Sequence, residues 1–292
     1  MLSVLIPTYN YNVFPLVSEL QKQCLECKIE FEILCQDDSS NTFELENLKV
    51  NHLENCNFSK NDSNLGRGIN INFLSEKSKF NWLLIMDCDT FPTQKTFIQN
   101  YIKQIKVGEK IVFGGIKYQK EKPDNNQLLR WIYGKNRESL SVEKRIKNPN
   151  GNALTSNLLI QKEIFLSTKF DESITKYGYE DLVFLMSLKK KGLVVKHIDN
   201  PTFHLGLETS QQFLDKTKTA LENLKLISKT IPLDQSESKI LRTYNFLKRF
   251  YLVSIISFLF KKGERKTMTN LLSQTPSLLL FDFYKLGYYC TI

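Results

Sequence analysis

Residues 82–89 read WLLIMDCD, an apolar run that ends in two carboxylates, Asp87 and Asp89. A continuous apolar run of this length predicts a strand buried on both faces. Two carboxylates one residue apart at the end of such a strand can share a hard divalent cation. The plainer interpretation is that they form a turn and cap the following helix. The stretch therefore predicts a buried strand that opens into a short acidic loop.

Two earlier apolar runs also end in polar loops. The run at residues 3–6 leads into Pro7-Thr8-Tyr9-Asn10, and the run at residues 31–36 ends in Asp37-Asp38-Ser39-Ser40. Helical stretches alternate with these strands, which predicts an α/β fold with a mostly parallel, Rossmann-like sheet flanked by helices. Because ligands bind outside the carboxyl ends of such strands, we expect the three loops to meet at one edge of the sheet.

The second part of the chain is less regular. Residues 117–150 are polar and basic, and we interpret them as a mobile or substrate-contacting region. The segment Gly178-Tyr179-Glu180-Asp181 then opens a helix, and a strand and His204 follow. These patterns predict one domain over residues 1–209, with halves at about 1–116 and 117–209. Residues 210–292 form a mainly helical extension.

The charge of the chain lies mostly in this extension. The chain has 292 residues, 41% of them hydrophobic, and a formal net charge of +9, which excludes disorder as a description of the whole chain. Residues 210–292 contain 13 Lys and Arg against 6 Asp and Glu, a net charge of +7. An anionic partner is expected there. Nucleic acid is not expected, because no recognised binding motif accompanies the charge.

An apolar run in the extension, FYLVSIISFLF at residues 250–260, lies between the basic pairs Lys248-Arg249 and Lys261-Lys262. It is too short to cross a bilayer, which takes about 20 apolar residues. We predict one continuous helix with a narrow polar stripe that includes Tyr251 and Ser254. Two interpretations stay open: contact with an anionic membrane surface through residues 246–266, or packing against the core or a second copy of the chain, as a homodimer.

The cysteines and the amino-terminal residues indicate a compartment. Several of the six cysteines lie in apolar runs, and residues 1–10 lack the features of a secretory signal. We therefore expect a reducing cytoplasm, with peripheral contact at the inner face of the cell membrane.

Taken in order, the motifs resemble those of the family 2 glycosyltransferases, inverting enzymes with the nucleotide-sugar-binding fold called GT-A. The resemblance spans about residues 1–207, with Ser39 in place of the usual glycine and no tryptophan in the G-x-E-D segment. The matching segments are residues 3–10 (opening strand and nucleotide loop), Asp37–Ser40 (D-D-x-S), Asn64–Gly68 (N-x-G), Asp87–Asp89 (D-x-D), Gly178–Asp181 (G-x-E-D) and His204 (late metal ligand).

The resemblance implies transfer of a hexosyl group from a nucleotide sugar to a hydroxyl of a glycan or lipid-linked acceptor. Among nucleotide sugars, it favours a UDP-sugar as the donor. Bacterial polysaccharide or glycoconjugate synthesis is the implied setting. Mn²⁺ or Mg²⁺ would stabilise the leaving diphosphate, and Asp181 would be the general base, with Glu180 as second choice. The implied metal ligands are Asp87, Asp89 and His204, and the implied donor contacts are Pro7, Thr8, Tyr9, Asp37, Arg67 and Asp87.

Two other functions fit parts of the pattern. In a phosphatase of the haloacid dehalogenase type, Asp87 would be the nucleophile and Asp89 the acid/base, but that motif normally opens the fold, and here more than eighty residues precede it. The other alternative is a catalytically inactive module that binds a nucleotide sugar.

Overall fold

The computed structural model describes residues 1–231 and 238–292. Ten strands form two sheets in this part of the chain. The strands are β1 (Leu2–Thr8), β2 (Phe31–Asp37), β3 (Cys56–Lys60), β4 (Trp82–Met86), β5 (Thr90–Pro92), β6 (Ile111–Phe113), β7 (Ile116–Lys117), β8 (Asn157–Gln161), β9 (Lys196–His197) and β10 (Thr202–His204).

Twelve α-helices accompany the strands in the same described residues. They are α1 (Phe14–Glu26), α2 (Glu44–Leu48), α3 (Arg67–Lys77), α4 (Phe97–Lys106), α5 (Leu128–Tyr133), α6 (Val142–Arg145), α7 (Lys162–Leu166), α8 (Glu180–Lys190), α9 (Ser210–Thr230), α10 (Lys239–Arg249), α11 (Val253–Leu271) and α12 (Leu278–Thr291).

The larger sheet has seven strands in the order β3-β2-β1-β4-β8-β6-β9. Strands β3, β2, β1 and β4 run parallel, β8 runs antiparallel to both of its neighbours, and β9 is parallel to β6. This confirms the predicted mostly parallel sheet flanked by helices. The smaller sheet, β5-β10-β7, lies beyond the end of β4 and brings distant parts of the chain to that end.

Helices cover both faces of the large sheet. Along β4, Leu84 joins a core with residues of α1 and α4, whereas Leu83 and Ile85 join a core with residues of α3, α7 and α8. The alternation follows from the two-residue period of a strand. All seven residues of β1 are buried, as expected for a central strand covered on both faces.

The irregular segment predicted at 117–150 contains helices α5 and α6 and a single π-helical turn at Gly134–Glu138. Leu128 and Leu129 in this segment are fully buried. Leu129 packs in one cluster with Leu214 of α9 and Phe281 of α12. The interpretation as a mobile region was therefore wrong for this part of the segment, and the alternative, contact with a substrate, stays a prediction. Hydrophobic contacts that the local sequence does not reveal order this part of the segment.

The predicted carboxy-terminal extension is helical, as expected, but its apolar run is not one helix. Helix α10 ends at Arg249 and α11 begins at Val253, so the chain turns between them. Tyr251 adopts a left-handed conformation with φ of 57°. The predicted polar stripe across Tyr251 and Ser254 is therefore wrong, because the two residues do not share a helix. Within the residues described, no helix combines the length and apolar character that crossing a bilayer requires.

Candidate active site

A cavity of about 490 Å³ opens where β1, β2 and β4 end. Its wall includes the loop after β1, Asp38 after β2, and the segment Asp87–Asp89 after β4. The turn into α3, the residues before α8, and two side chains of α9 complete it. The three strand-end motifs therefore meet at one edge of the sheet, as the parallel arrangement predicts.

Asp37 and Asp38 take different positions near the end of the cavity that Pro7, Thr8 and Tyr9 line. Asp38 lines the cavity, and its carboxylate accepts hydrogen bonds from the backbone N–H groups of Leu65 and Gly66, both at 2.8 Å. Asp37 is buried behind it, and its Oδ1 accepts a hydrogen bond from the Ser40 N–H at 2.7 Å. Asp38 therefore fixes the loop before α3, and Asp37 closes the turn after β2.

Arg67, the first residue of α3, joins two of the predicted acidic motifs. Its Nη2 lies 2.6 Å from Asp87 Oδ1, and its Nη1 lies 2.9 Å from Asp181 Oδ1. Thr155 links the same groups, because its hydroxyl accepts from Arg67 at 2.9 Å and donates to Asp181 at 2.6 Å. One guanidinium thus offsets the repulsion between carboxylates that lie 94 residues apart in sequence.

The close contact between Arg67 and the two carboxylates shifts the pKa values of Arg67 and Asp87. Burial raises the pKa of the Asp87 carboxyl, and the nearby Arg67 guanidinium opposes that shift. Burial would lower the pKa of Arg67, but Asp87 and Asp181 raise it above its ordinary value. Arg67 therefore stays protonated and provides a fixed positive charge beside the cavity.

The small sheet brings His204 to the D-x-D loop. Strand β10 pairs antiparallel with β5, so that His204 lies opposite Thr90, the residue after Asp89. His204 Nε2 is 3.3 Å from Asp89 Oδ2. Gly206 passes so close that a Cβ there would lie 2.4 Å from Asp89 Oδ2. A glycine is therefore required at this approach.

Burial makes this pair a neutral imidazole beside a carboxylate rather than an ion pair. Burial, with a contribution from Arg130, lowers the pKa of His204 to about 4. Burial raises the pKa of Asp89 to about 6, and Arg130 opposes that shift. At pH 7 His204 is therefore neutral and Asp89 is mostly ionised. A neutral imidazole and a carboxylate oxygen are both metal ligands.

Asp89 and His204 are suited to bind a divalent cation as its two protein ligands. Mg²⁺ is commonly held by one or two carboxylates together with substrate phosphates, and Mn²⁺ accepts imidazole and carboxylate ligands. His204 Nδ1 is buried without a hydrogen-bond partner in the described chain, so no such bond fixes the ring in one tautomer. Over residues 1–231 and 238–292, no three His, Cys, Asp or Glu side chains form a ready metal cluster. Asp87, the third predicted ligand, is bound by Arg67 instead.

A buried polar network supports His204 from the other side. The Tyr118 ring stacks on His204 with centroids 5.4 Å apart, and its hydroxyl donates a hydrogen bond to Glu138. Both terminal nitrogens of Arg130 donate to the same Glu138 oxygen at 3.1 Å. Glu138 lies in the π-helical turn, a feature that is frequent at functional sites. Sequence reasoning missed these residues, because they lie in the segment interpreted as loose.

The two carboxylates at the start of α8 also differ in position. Glu180 lines the cavity, and its Oε2 is buried without a hydrogen-bond partner in the part of the chain described. Burial, together with the neighbouring Asp181, raises the pKa of Glu180. Asp181 lies beside the cavity wall, and its oxygens accept hydrogen bonds from Arg67 and from the Thr155 hydroxyl and N–H.

Helix α9, predicted to belong to the extension, shapes the same region. Asn223 Nδ2 donates to the carbonyls of Lys176 and Gly178 at 2.9 and 2.6 Å. Lys216 and Thr219 of α9 line the cavity. The predicted boundary at residue 209 therefore separates residues that form one wall, a result of packing that the sequence pattern did not indicate.

Comparisons with known proteins agree with this geometry at the level of the fold. TarS from S. aureus has a TM-score of 0.53 at 16% identity, over 86% of this chain and 43% of the TarS chain. The chain thus spans less than half of that protein. The structure of TarS residues 1–349 has a TM-score of 0.53 at 15% identity, over 99% of this chain and 89% of the fragment. The same fragment in complex with UDP-GlcNAc gives 0.51 at 15% identity, with the same coverage. No curated protein matches the sequence.

A family model identifies the chain. The model described as glycosyl transferase family 2 matches residues 3–166, which is more than half of the sequence. The matched range contains the loop after β1, both acidic strand ends and Arg67. The chain is therefore a member of glycosyl transferase family 2.

Proposed function

We propose that the chain is a hexosyltransferase that moves a sugar from a nucleotide-sugar donor to an acceptor hydroxyl, with inversion at the anomeric carbon. The observation that carries this proposal is the single cavity in which Asp38, Asp89, Glu180 and the Arg67 guanidinium meet. A UDP-sugar is the first donor to test, because the fold resembles that of TarS in its complex with UDP-GlcNAc.

In this proposal the chain's own residues hold the two ends of the donor. Pro7, Thr8 and Tyr9 line the end that would receive the base, beside the loop that Asp38 fixes. Arg67 would place its positive charge near the diphosphate. Asp37, predicted to contact the base, would act through the turn that it closes, since its Oδ1 accepts the Ser40 N–H.

Asp89 and His204 would hold a divalent cation, with Asp87 nearby as the predicted third ligand. When bound, Mn²⁺ or Mg²⁺ supplies positive charge that stabilises the leaving diphosphate. Burial raises the pKa of Asp89, with Arg130 opposing the shift, and a cation bound there would favour the ionised carboxylate.

The acceptor hydroxyl needs a proton acceptor on the opposite side of the sugar. Family resemblance favours Asp181, which Arg67 and Thr155 hold in a fixed orientation. Cavity position favours Glu180, whose unpartnered Oε2 and raised pKa suit a general base. We propose that the proton goes to this pair of carboxylates, and substitution of each one assigns the role.

We also propose the setting of the reaction. A glycan or lipid-linked acceptor in bacterial polysaccharide or glycoconjugate synthesis would be glycosylated in the cytoplasm, at the inner face of the membrane. The net charge of +7 on residues 210–292 supports an acceptor presented at an anionic surface.

A donor screen tests the function directly. Thermal shift with UDP-GlcNAc and other nucleotide sugars, with and without Mn²⁺, should give a higher melting temperature for the correct donor. Turnover with that donor distinguishes an enzyme from an inactive binding module, and the anomeric configuration of the product tests inversion. Stabilisation without turnover on any glycan or lipid-linked acceptor would favour the inactive module.

Substitution of the carboxylates identifies the base. If Glu180 is the base, Glu180→Gln should keep donor affinity and lose about a hundredfold or more in transfer rate. If Asp181 is the base, Asp181→Asn should have this effect instead. Asp171→Asn is the matched control, because Asp171 also lines the cavity but accepts hydrogen bonds from Ser173. A normal transfer rate in both Glu180→Gln and Asp181→Asn would place the base elsewhere.

A further inference from the structure

A group of exposed apolar side chains lies at the turn between α10 and α11 and on the first turns of α11. This group, here called the corner surface, consists of Phe246, Phe250, Tyr251, Leu252, Ile255, Phe258 and Leu259. Three of its aromatic rings are more than half exposed: Phe246 at 58%, Phe250 at 54% and Tyr251 at 90%. The rings of Phe246 and Phe250 contact each other with centroids 4.8 Å apart. Single exposed apolar residues are ordinary, but a contiguous group marks a contact surface.

The first turns of α11 extend this surface. Ile255, Phe258 and Leu259 are 50–54% exposed, and their spacing of three and four residues places them on one side of the helix. Phe260 lies on the opposite side and is buried against α12, with its ring 5.6 Å from that of Tyr284. Helix α11 therefore packs on the protein through one apolar face and leaves a second apolar face uncovered.

The positive charge around the corner surface indicates what kind of partner binds there. Residues 238–263 contain six Lys and Arg, all exposed, and no Asp or Glu. In a symmetric dimer the same patch would face itself, so that twelve positive charges would repel. The Lys262 amine lies 4.6 Å from the centre of the Phe258 ring, an arrangement in which the stem follows the apolar surface and the charge stays at its edge.

We propose that the corner surface docks on an anionic lipid bilayer, with its aromatic and aliphatic side chains in the interface and the basic residues at the headgroups. The aliphatic members Leu252, Ile255 and Leu259 favour acyl chains over nucleic-acid bases, which stack on aromatic rings. Since no described helix is long and apolar enough to cross a bilayer, docking at the interface is the mode that fits. This inference rests on the proposed setting at the membrane and names the surface that docks there, and it does not depend on the proposed catalysis.

Co-sedimentation of the full chain with vesicles tests the proposal. The wild-type chain should bind phosphatidylserine–phosphatidylcholine vesicles, bind pure phosphatidylcholine more weakly, and bind the anionic vesicles less at high salt. The triple variant Phe250→Ser, Ile255→Ser, Phe258→Ser should bind at least tenfold more weakly. Each of Lys261→Gln and Lys262→Gln should weaken binding to anionic vesicles about fivefold.

A matched variant controls for general loss of exposed apolar surface. Leu45, Val107 and Val194 are 65–79% exposed and lie outside the corner surface, so their triple serine variant should bind like the wild type. Donor thermal shift, measured on every variant, separates loss of docking from loss of the fold or of the catalytic function. The proposal is overturned if the wild type does not bind anionic vesicles at low salt, or if the corner variant binds as well as the control. Loss of self-association or of single-stranded RNA binding in the corner variant, without a change in vesicle binding, would also overturn it.

Discussion

The charge balance around Asp87 and Asp181 depends on Arg67. Arg67 contacts Asp87 and Asp181, and all three side chains are less than a third exposed. Arg67→Gln would leave the two carboxylates without their counter-charge. We expect it to lower the free energy of unfolding by about 1–3 kcal/mol, which is less than the loss for a fully buried ion pair because these side chains are partly exposed to solvent. Urea denaturation measures this change.

A surface ion pair provides the comparison for Arg67→Gln. Lys196 and Glu109 are more exposed and lie 3.6 Å apart, so Lys196→Gln should change the free energy of unfolding by less than about 1 kcal/mol. Equal effects of the two substitutions would mean that Arg67 does not neutralise the partly buried charges of Asp87 and Asp181.

The protonation of Asp89 predicts how metal binding depends on pH. At the proposed site a cation would compete with the proton on Asp89, whose pKa is raised to about 6. The apparent affinity for Mn²⁺ should therefore be constant above pH 6 and fall about tenfold per pH unit below it. His204, with a pKa lowered to about 4, should add no further slope between pH 5 and 8.

Titration calorimetry with Mn²⁺ across pH 5–8 measures this profile, and Asp89→Asn should weaken binding and remove the slope. An affinity that stays constant down to pH 5 in the wild type would show that Asp89 is not a metal ligand.

At the scale of elements, the contact between α9 and the loop before α8 shapes one wall of the cavity, which we propose faces the acceptor. Gly178 has a φ of 98°, and a Cβ there would lie 2.5 Å from the Ala220 Cβ. Gly178→Ala should therefore destabilise the fold through both backbone strain and overpacking, by about 2–4 kcal/mol in total. Chemical denaturation measures the loss, and a raised KM for acceptor should accompany it.

Gly108→Ala separates the two causes. Gly108 has a φ of 84° but nothing within 4 Å of its Cβ position, so only the strain of about 1–2 kcal/mol applies. Adding Ala220→Gly to Gly178→Ala should restore part of the lost stability. If the Gly108 and Gly178 variants lose the same stability, the packing of α9 is not what constrains the loop.

For the whole molecule, the shared cluster around Phe281 predicts that the extension unfolds together with the rest of the chain. Phe281 of α12 packs with Leu129 of α5 and Leu214 of α9. Phe281→Ala should cost about 3–5 kcal/mol. Both tryptophans, Trp82 and Trp131, lie outside residues 210–292, so their fluorescence reports unfolding of residues 1–209.

The control for this prediction lies in the same helix. Leu279 is 79% exposed, and Leu279→Ala should change stability by less than about 0.5 kcal/mol. If Phe281→Ala leaves the tryptophan transition unchanged while α-helical circular dichroism is lost at lower denaturant, the extension is an independent unit and the boundary at residue 209 holds.

Most of the sheet and the place of the site could be predicted from the sequence. Apolar runs such as residues 82–86 indicate buried strands because both faces must be covered. Acidic residues after those runs had to meet, since parallel strands share one direction. Helix α5 could not be predicted in the same way, because Leu129 is buried by contacts with α9 and α12, about 80 to 150 residues later in the sequence.

The sequence alone determined which strands end at the cavity and which acidic motifs lie there, because hydrophobic periodicity and strand direction are local properties. Only the tertiary structure decided which member of each pair faces the cavity: Asp38 rather than Asp37, and Glu180 rather than Asp181. Neighbouring residues in a turn point in different directions, and their surroundings come from distant segments. The same reason applies to Arg67, which reaches carboxylates 20 and 114 residues away.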